Sequence, residues 1–443
     1  MDNNISLKKK FFKYLFPSVT AMWIFSLYTM VDGIFVSRGV SEIALAAVNI
    51  SMPFINFIFA ISMLFSTGAS TIISIYLGKN DLKKANEIFT FNLFAMIIFS
   101  LSLTIISLLN LDKIALFLGA TKLNFYLVKD YLKIIISFNS FFIISYCLEV
   151  LTKADGYPHL AIIGMIISAI TNIILDFLFV IIFDFGIKGA AIATIIAQGV
   201  SFIFFLRHFL SKKSKLKLTK LNIKLSYLKR IFYIGFPDAI TELTSGIIIL
   251  LFNQTILKYI GEDGIITYSI ICYMSTLVIM TMIAITQGMQ PLCSFYYGKN
   301  DTTTIKKLIK LSLKSILISS IIIFLLSIIF TKEIVFIFIK DTSSNLYLYS
   351  ISAFRIFSTS FLILGFNILI SGYFASIEEP FKATIISLCR GIIFITISLF
   401  LLSFYFGDTG IWISTLVAEI VCLIISIYLL LRKNKVYTIK IFK

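Results

Sequence analysis

"YLGKND" at 76–81 returns as "YYGKND" at 296–301, an offset of 220 residues. "FP" at 16–17 returns at 236–237 with the same offset, Pro158 pairs with Pro380 at 222, and "KGAAIATIIAQ" (188–198) resembles "TGIWISTLVAE" (409–419) at 221. A near-constant spacing at four places is the mark of a duplicated unit. The chain therefore reads as two halves, 1–210 and 231–443, joined by the lysine-rich "SKKSKLKLTKLNIKLSYLKR" of 211–230.

Composition says what the halves are made of. Of 443 residues, 59% are hydrophobic and 14% charged, and 45 are Phe. The mean hydropathy is +0.99. A soluble core cannot absorb that much apolar surface, because single cores stop growing at roughly 250–300 residues. Apolar windows long enough to cross hydrocarbon recur twelve times, near 14–35, 44–77, 88–110, 131–151, 160–183, 189–210, 231–258, 265–297, 311–330, 346–374, 383–406 and 410–431. The fold class is all-α: a polytopic membrane protein with twelve transmembrane helices in two pseudo-symmetric six-helix bundles. Each half holds an even number of spans, so the repeats run parallel, as in alternating-access transporters.

The net charge of +17 raises the question of nucleic acid, and its placement answers it. With the N-terminus inside, the cytoplasmic segments hold 28 of the 39 Lys and Arg, the outer segments hold 9, and Arg355 and Arg390 lie within windows. That asymmetry is the positive-inside signature, so both termini and the basic 211–230 linker are expected in the cytoplasm. The basic surface points to membrane lipid and leaves no nucleic-acid partner. The first window is too long for a signal h-region and lacks a small-residue cleavage site, so it is expected to stay. Cys147, Cys272, Cys293, Cys389 and Cys422 all fall in apolar windows without CxxC spacing, which suits small buried hydrophobes.

No GxxxxGK[ST] loop is present, and His159 and His208 belong to no HExxH. No catalytic set and no cofactor is expected, and the chain reads as a non-enzyme. The chemistry left is a short set of ionisable groups at membrane depth: Asp32, Asp176, Glu242, Arg355, Arg390 and Glu419. Glu419 and Arg390 suit a pair with each other or with nearby carbonyls. Asp238 and Glu149 fall near window ends, where interfacial water is expected. Asp32 and Asp176 differ in having polar companions one turn away, Tyr28 before the first and Asn172 before the second. Thr194 and Gln198 are again four apart on a third helix. If these faces converge, they form a hard-oxygen site suited to Na⁺, or a carboxyl pair able to hold a proton. The alternative is that each acid is tied separately into a helix-packing hydrogen bond.

At these residues the chain resembles a known family. "PFINFIFAISMLFSTGASTIISIYLGKNDLKKA" (53–85) is similar to the second-helix signature of the multidrug and toxic compound extrusion (MATE) transporters. Twelve helices, tandem six-helix halves and a cytoplasmic central loop agree along essentially the whole length. The resemblance implies a secondary antiporter that exports organic, often cationic, drug-like molecules in exchange for H⁺ or Na⁺. It also implies a cation site of an Asp on helix 1, an Asn-x-x-x-Asp on helix 5 and a Thr on helix 6. Here these read Asp32, Asn172 with Asp176, and Thr194, which would be the Na⁺ ligands if coupling is to sodium. Other branches use acids of helices 7 and 10. Glu242 could fill the first role, but the tenth window has no Asp or Glu and carries Asn367 and Arg355.

The cavity wall is expected on the same faces, with Tyr28, Met165, Gln198 and Glu242 as the substrate contacts. An aromatic ring, a thioether and an amide suit flat organic cations. A lipid-linked oligosaccharide flippase of the same superfamily would share the repeats but should line its cavity with several Arg. A membrane-embedded transferase would need a polar catalytic cluster at one interface, and none is visible. The remaining expectations are a cell-membrane location, a monomer, and small organic molecules as substrates.

Overall fold

The computed structural model describes residues 6–122 and 124–432. The basic tail from residue 433 onward, expected in the cytoplasm, lies outside the described residues. No strand occurs among the described residues. Contacts divide the chain into two compact units. One holds the residues up to Glu242 together with Ser294–Asn300, and the other holds Leu243–Cys293 and the residues from Asp301 onward.

The first unit begins with α1 (Leu7–Gly39), α2 (Glu42–Gly78), α3 (Leu82–Leu109) and the short α4 (Leu111–Phe117). It continues with α5 (Phe125–Ser137), α6 (Asn139–Asp155), α7 (His159–Asp176) and α8 (Gly186–Leu210). Then α7 packs against both α1 and α8, while α6 packs against α2 and α8. Between α5 and α6 the path bends by 52°. A bend frees backbone carbonyls that hydrocarbon cannot solvate. Here the Thr104 hydroxyl is within reach of the Ile136 carbonyl (3.1 Å) and of Asn139 Oδ1 (3.2 Å) and donates its one hydrogen to either, so a side chain of α3 seals a carbonyl at the break. The stretch 211–224 is irregular and is tied to the first unit. Lys215 N donates to Asp155 Oδ1 (3.0 Å), and Lys217 N donates to Asn86 Oδ1 (2.9 Å). Asp155 also meets His208 Nε2 at 2.8 Å.

Two long helices follow, α9 (Leu225–Tyr259) and α10 (Glu262–Gly298). After them come α11 (Thr302–Ile329), α12 (Thr331–Phe338), α13 (Asn345–Ser358), α14 (Leu364–Ser376), α15 (Pro380–Leu388) and α16 (Phe394–Leu431). In the second unit α16 packs on α13 and α14, and α14 on α15 and α11.

The elbows at 78–81 and 298–301 are built alike. Asn80 and Asn300 both take φ of +59°, where asparagine is tolerated better than most residues. Asp81 then caps α3 by accepting from Lys84 N (3.1 Å), and Asp301 caps α11 by accepting from Thr304 N (3.0 Å). The Lys84 amide holds the Asp81 carboxyl below the usual carboxylate range. An aspartate N-cap is worth about 0.5–2 kcal/mol, which accounts for the fixed "ND" in both copies.

Among the described residues, ten helices are long and apolar enough to span a membrane, and the bent pair α5–α6 makes an eleventh. The residues Pro380–Leu431 contain two of the expected windows. Their boundary is a kink within α16 at Gly407, whose φ of 59° and ψ of −133° are not helical. Twelve apolar segments are thus recovered, the last two running on almost without a loop. All five cysteines are free, and four of them are buried.

Gly407→Ala should cost about 1–3 kcal/mol, because its backbone lies where a Cβ is strained. Gly246→Ala, mid-helix in α9 with open space where the added methyl would point, should leave stability unchanged or raise it. Thermal unfolding of the detergent-purified variants decides; equal midpoints for both would disprove the assignment of the kink to Gly407.

Candidate functional site

Asp32 comes from α1, Asn172 and Asp176 from α7, and Thr194 from α8; the contacts of α7 with α1 and α8 bring the three faces together. Asn172 and Asp176 are completely buried. Asn172 Nδ2 donates to Thr194 Oγ1 at 3.5 Å, a long bond. The carboxyls of Asp32 and Asp176 lie close enough to interact directly. Two ionised carboxylates have only acceptors to offer each other. Accordingly Asp32 Oδ1, both carboxyl oxygens of Asp176 and Asn172 Oδ1 are shut from solvent with no hydrogen-bond partner among the described residues. Four oxygens of this kind in one place are a donor set for a proton or a hard cation.

Two features of the surroundings were not read from sequence. Tyr131 of α5, almost wholly buried, sits close enough to both carboxyls to feel their charge. It fell in an apolar window as one aromatic among many. The chain also leaves the α-helical path directly after Asp176, with a π-helical turn over Phe177–Ile182. Such turns widen a helix locally and are frequent at functional sites.

Beside these residues the first unit holds a cleft of about 480 Å³, counting the space at its mouth. Its walls include Phe25, Phe59, Phe142, Tyr146, Met165 and Gln198. The rings form a continuous patch: Phe59 lies 4.8 Å from Tyr146, 5.9 Å from Phe142 and 6.2 Å from Phe25, centroid to centroid. Of the four expected substrate contacts, Met165 and Gln198 line this cleft. Tyr28 stands behind the wall, buried, with its ring edge on Phe25 (5.3 Å) and Gln198 nearby. Glu242 is half-buried on α9 and is not part of this wall.

Glu149 does line the cleft. The expectation that it lies in interfacial water is corrected: it is 3% exposed, beside Lys153 at 1%. The reason is that α6 starts at the sealed break and runs on to Asp155, so Glu149 sits inside the packed bundle.

In the second unit Arg390 and Glu419 do pair. Arg390 Nη2 and Nε donate to Glu419 Oε1 at 2.8 and 3.1 Å. Asn367 Nδ2 donates to Glu419 Oε2 (2.7 Å), and Ser426 Oγ donates to Asn367 Oδ1 (2.8 Å). Arg355 is exposed on α13. Neither arginine is thus a buried, uncommitted cation of the kind a pyrophosphate cavity needs.

With this geometry in place, the relatives are informative. The MatE family profile matches residues 17–178 and again 237–400. The chain is 27% identical over 425 residues to a multidrug export protein, MepA, of Staphylococcus saprophyticus, covering 94% of this chain and 92% of that one. Against MepA of Staphylococcus aureus strain MW2 it is 28% identical over 426 residues, with the same coverage. Among solved structures it resembles an outward-facing multidrug resistance MATE family transporter of the MOP superfamily, with a TM-score of 0.91 at 21% identity over 96% of this chain and 95% of that one. A MOP superfamily transporter from Pyrococcus furiosus, described as having a binding pocket of reverse polarity, superposes with a TM-score of 0.90 at 21% identity, over 96% and 95% of the two chains.

Arg390→Met should destabilise the protein by about 3–5 kcal/mol, because it leaves Glu419 charged and buried without its cation. Arg390→Met with Glu419→Met should recover much of that loss. Thermal unfolding in detergent measures both; a double variant no better than the single would contradict a charge-balancing role.

Proposed function

The chain belongs to the MatE family, and on that premise we propose that it is a secondary active antiporter. It exports organic, drug-like cations across the cell membrane in exchange for inward H⁺ or Na⁺ by alternating access. The observation that carries the proposal is the group of unpartnered buried oxygens on Asp32, Asp176 and Asn172, held by three helices next to an aromatic cleft. Its staphylococcal relatives are named multidrug export proteins, which supports export as the direction and drugs as the cargo.

In this reading Asp32 and Asp176 take the coupling ion. A proton would let one carboxyl donate to the other. A sodium ion would draw on both carboxyls, the Asn172 amide oxygen and the Thr194 hydroxyl, all hard oxygen donors. The ion is cargo of the cycle, and no resident cofactor or catalytic residue is needed. The cleft beside Met165 and Gln198, with Tyr28 behind it, receives the organic molecule, and Glu242 remains a further candidate contact. Both termini and the 211–230 linker face the cytoplasm, and the working unit is a monomer. The repeats act as two six-helix domains, 1–210 and 231–443.

Asp32→Asn or Asp176→Asn should abolish gradient-driven ethidium efflux while membrane levels stay near wild type. Proteoliposomes with H⁺ and Na⁺ gradients imposed separately identify the ion. Full efflux by either variant, or no efflux by the wild type under either gradient, overturns the proposal.

A further inference from the structure

The linker between the repeats is laid along α3 as a strap. Residues 215–224 form no helix, yet their backbone is held: Lys217 N donates to Asn86 Oδ1 (2.9 Å) and Thr219 N to Thr90 Oγ1 (2.9 Å). Leu216 between them is completely buried in the core of the first unit. At the start of α9 the Tyr227 hydroxyl donates to Glu87 Oε2 (3.1 Å). Three side chains of α3 thus fix the height of the strap.

That height is the edge of the hydrocarbon. Asn86, Thr90 and Phe94 are four apart and share one face of α3. Phe94 is exposed, and the apolar outer surface of α3 continues from it through Ile97, Ile98 and Leu101. Thr219 is therefore pinned about one turn, roughly 5 Å, before that surface begins. At this level the strap presents Leu218, Leu221, Ile223 and Leu225, exposed by 39% to 72%. Lys215, Lys220 and Lys224 are exposed among them. The whole of 211–230 carries seven Lys and one Arg and no Asp or Glu.

We infer that the strap 215–225 is a binding surface for anionic phospholipid, with its aliphatic side chains among the acyl ends and its lysines on the headgroup phosphates. This goes beyond the antiport reading and does not depend on what is carried.

In water, four large aliphatic side chains on an irregular strap would stand exposed at a cost. A membrane surface takes them in, and lysine stems can lie along it while their ammonium heads reach outward to phosphate. A zwitterionic surface would answer the aliphatic groups alone. The unbalanced positive charge selects a surface of net negative charge. The bonded amides of Lys217 and Thr219 fit the same location, because backbone next to hydrocarbon has to find its partners within the protein. The strap leads straight into α9, so lipid held here sets the depth at which that helix starts.

The test uses the full-length protein with its five native cysteines replaced by alanine and the fluorophore NBD attached at Ile223→Cys. Lys79→Cys, exposed where α2 ends, is the reference site. Each protein is reconstituted in vesicles of phosphatidylcholine alone, or of phosphatidylcholine and phosphatidylglycerol in equal parts, with and without bromine on the acyl chains. We expect NBD at 223 to shift to the blue and to be quenched by the brominated chains, more strongly with phosphatidylglycerol than without, while NBD at 79 stays unquenched. K215Q/K220Q/K224Q changes only exposed side chains, which leaves folding nearly untouched. It should abolish the dependence on phosphatidylglycerol. Quenching at 223 no greater than at 79 overturns the inference, as does equal quenching in the two compositions or an unchanged response in the triple variant. Loss of quenching on adding inorganic phosphate at constant ionic strength would overturn it in favour of a free-phosphate site. A probe already shielded in detergent, in a species with the mass of two chains, would overturn it in favour of a second copy of this chain.

Discussion

A charge placed among membrane-spanning helices has no water to turn to, and the organisation of this protein follows from where each such charge finds its counterweight. Three answers appear. Glu419 is closed off completely, by Arg390 on one oxygen and Asn367 on the other, with Ser426 completing the chain. Glu149 is half answered, by an ammonium at contact but without a hydrogen bond. Asp32 and Asp176 lie close to each other, with Asp32 Oδ1 and both oxygens of Asp176 unpartnered among the described residues. A network whose members are all satisfied fixes packing and gives a ligand nothing to bind. The same low dielectric makes an unsatisfied group costly, so under the proposed function the open acids are where an ion can enter at a gain.

The backbone obeys the same constraint. Every interruption of a spanning helix must re-satisfy the groups it frees, and the interruptions here fall beside the polar residues. Thr104 covers the break before α6, on which Glu149 rides. The π-helical turn after Asp176 and the one over Cys389–Ile393, which contains Arg390, each set an ionisable residue at a locally widened turn. Widening brings a side chain inward without ending the helix, which a loop at that depth could not do.

This explains which parts were legible beforehand. The repeat offset and the apolar windows are properties of the chain alone, and they carry the all-helical architecture. Asn172 with Asp176, and Thr194 with Gln198, are four apart, so a shared face could be read without knowing its neighbours. Tyr131 could not be read this way. Its relation to Asp32 and Asp176 exists only once α5 is packed in place, and an aromatic residue in an apolar window carries no mark of that. Glu149 was misjudged for a related reason. Its spacing to Lys153 was visible, but depth was inferred from the edge of a window, and that window spans the bend between α5 and α6. The final two spans were countable by length, while the glycine dividing them needed its dihedral angles to be recognised.

Under the proposed function, the cleft and the acid pair are built from different residues, so exclusion between cargo and ion has to pass through something common to both. α8 is that element by position. Thr194 receives the Asn172 amide, and Gln198, one turn on, lines the cleft and lies near the buried Tyr28. Tyr28 is in turn one helical turn from Asp32 on α1. A shift of α8 large enough to break a bond that is already 3.5 Å long would therefore alter the ion ligands and the cleft wall together. Coupling of this kind needs two arrangements of one rigid element, each favoured by a different ligand, and it needs no contact between the ligands themselves.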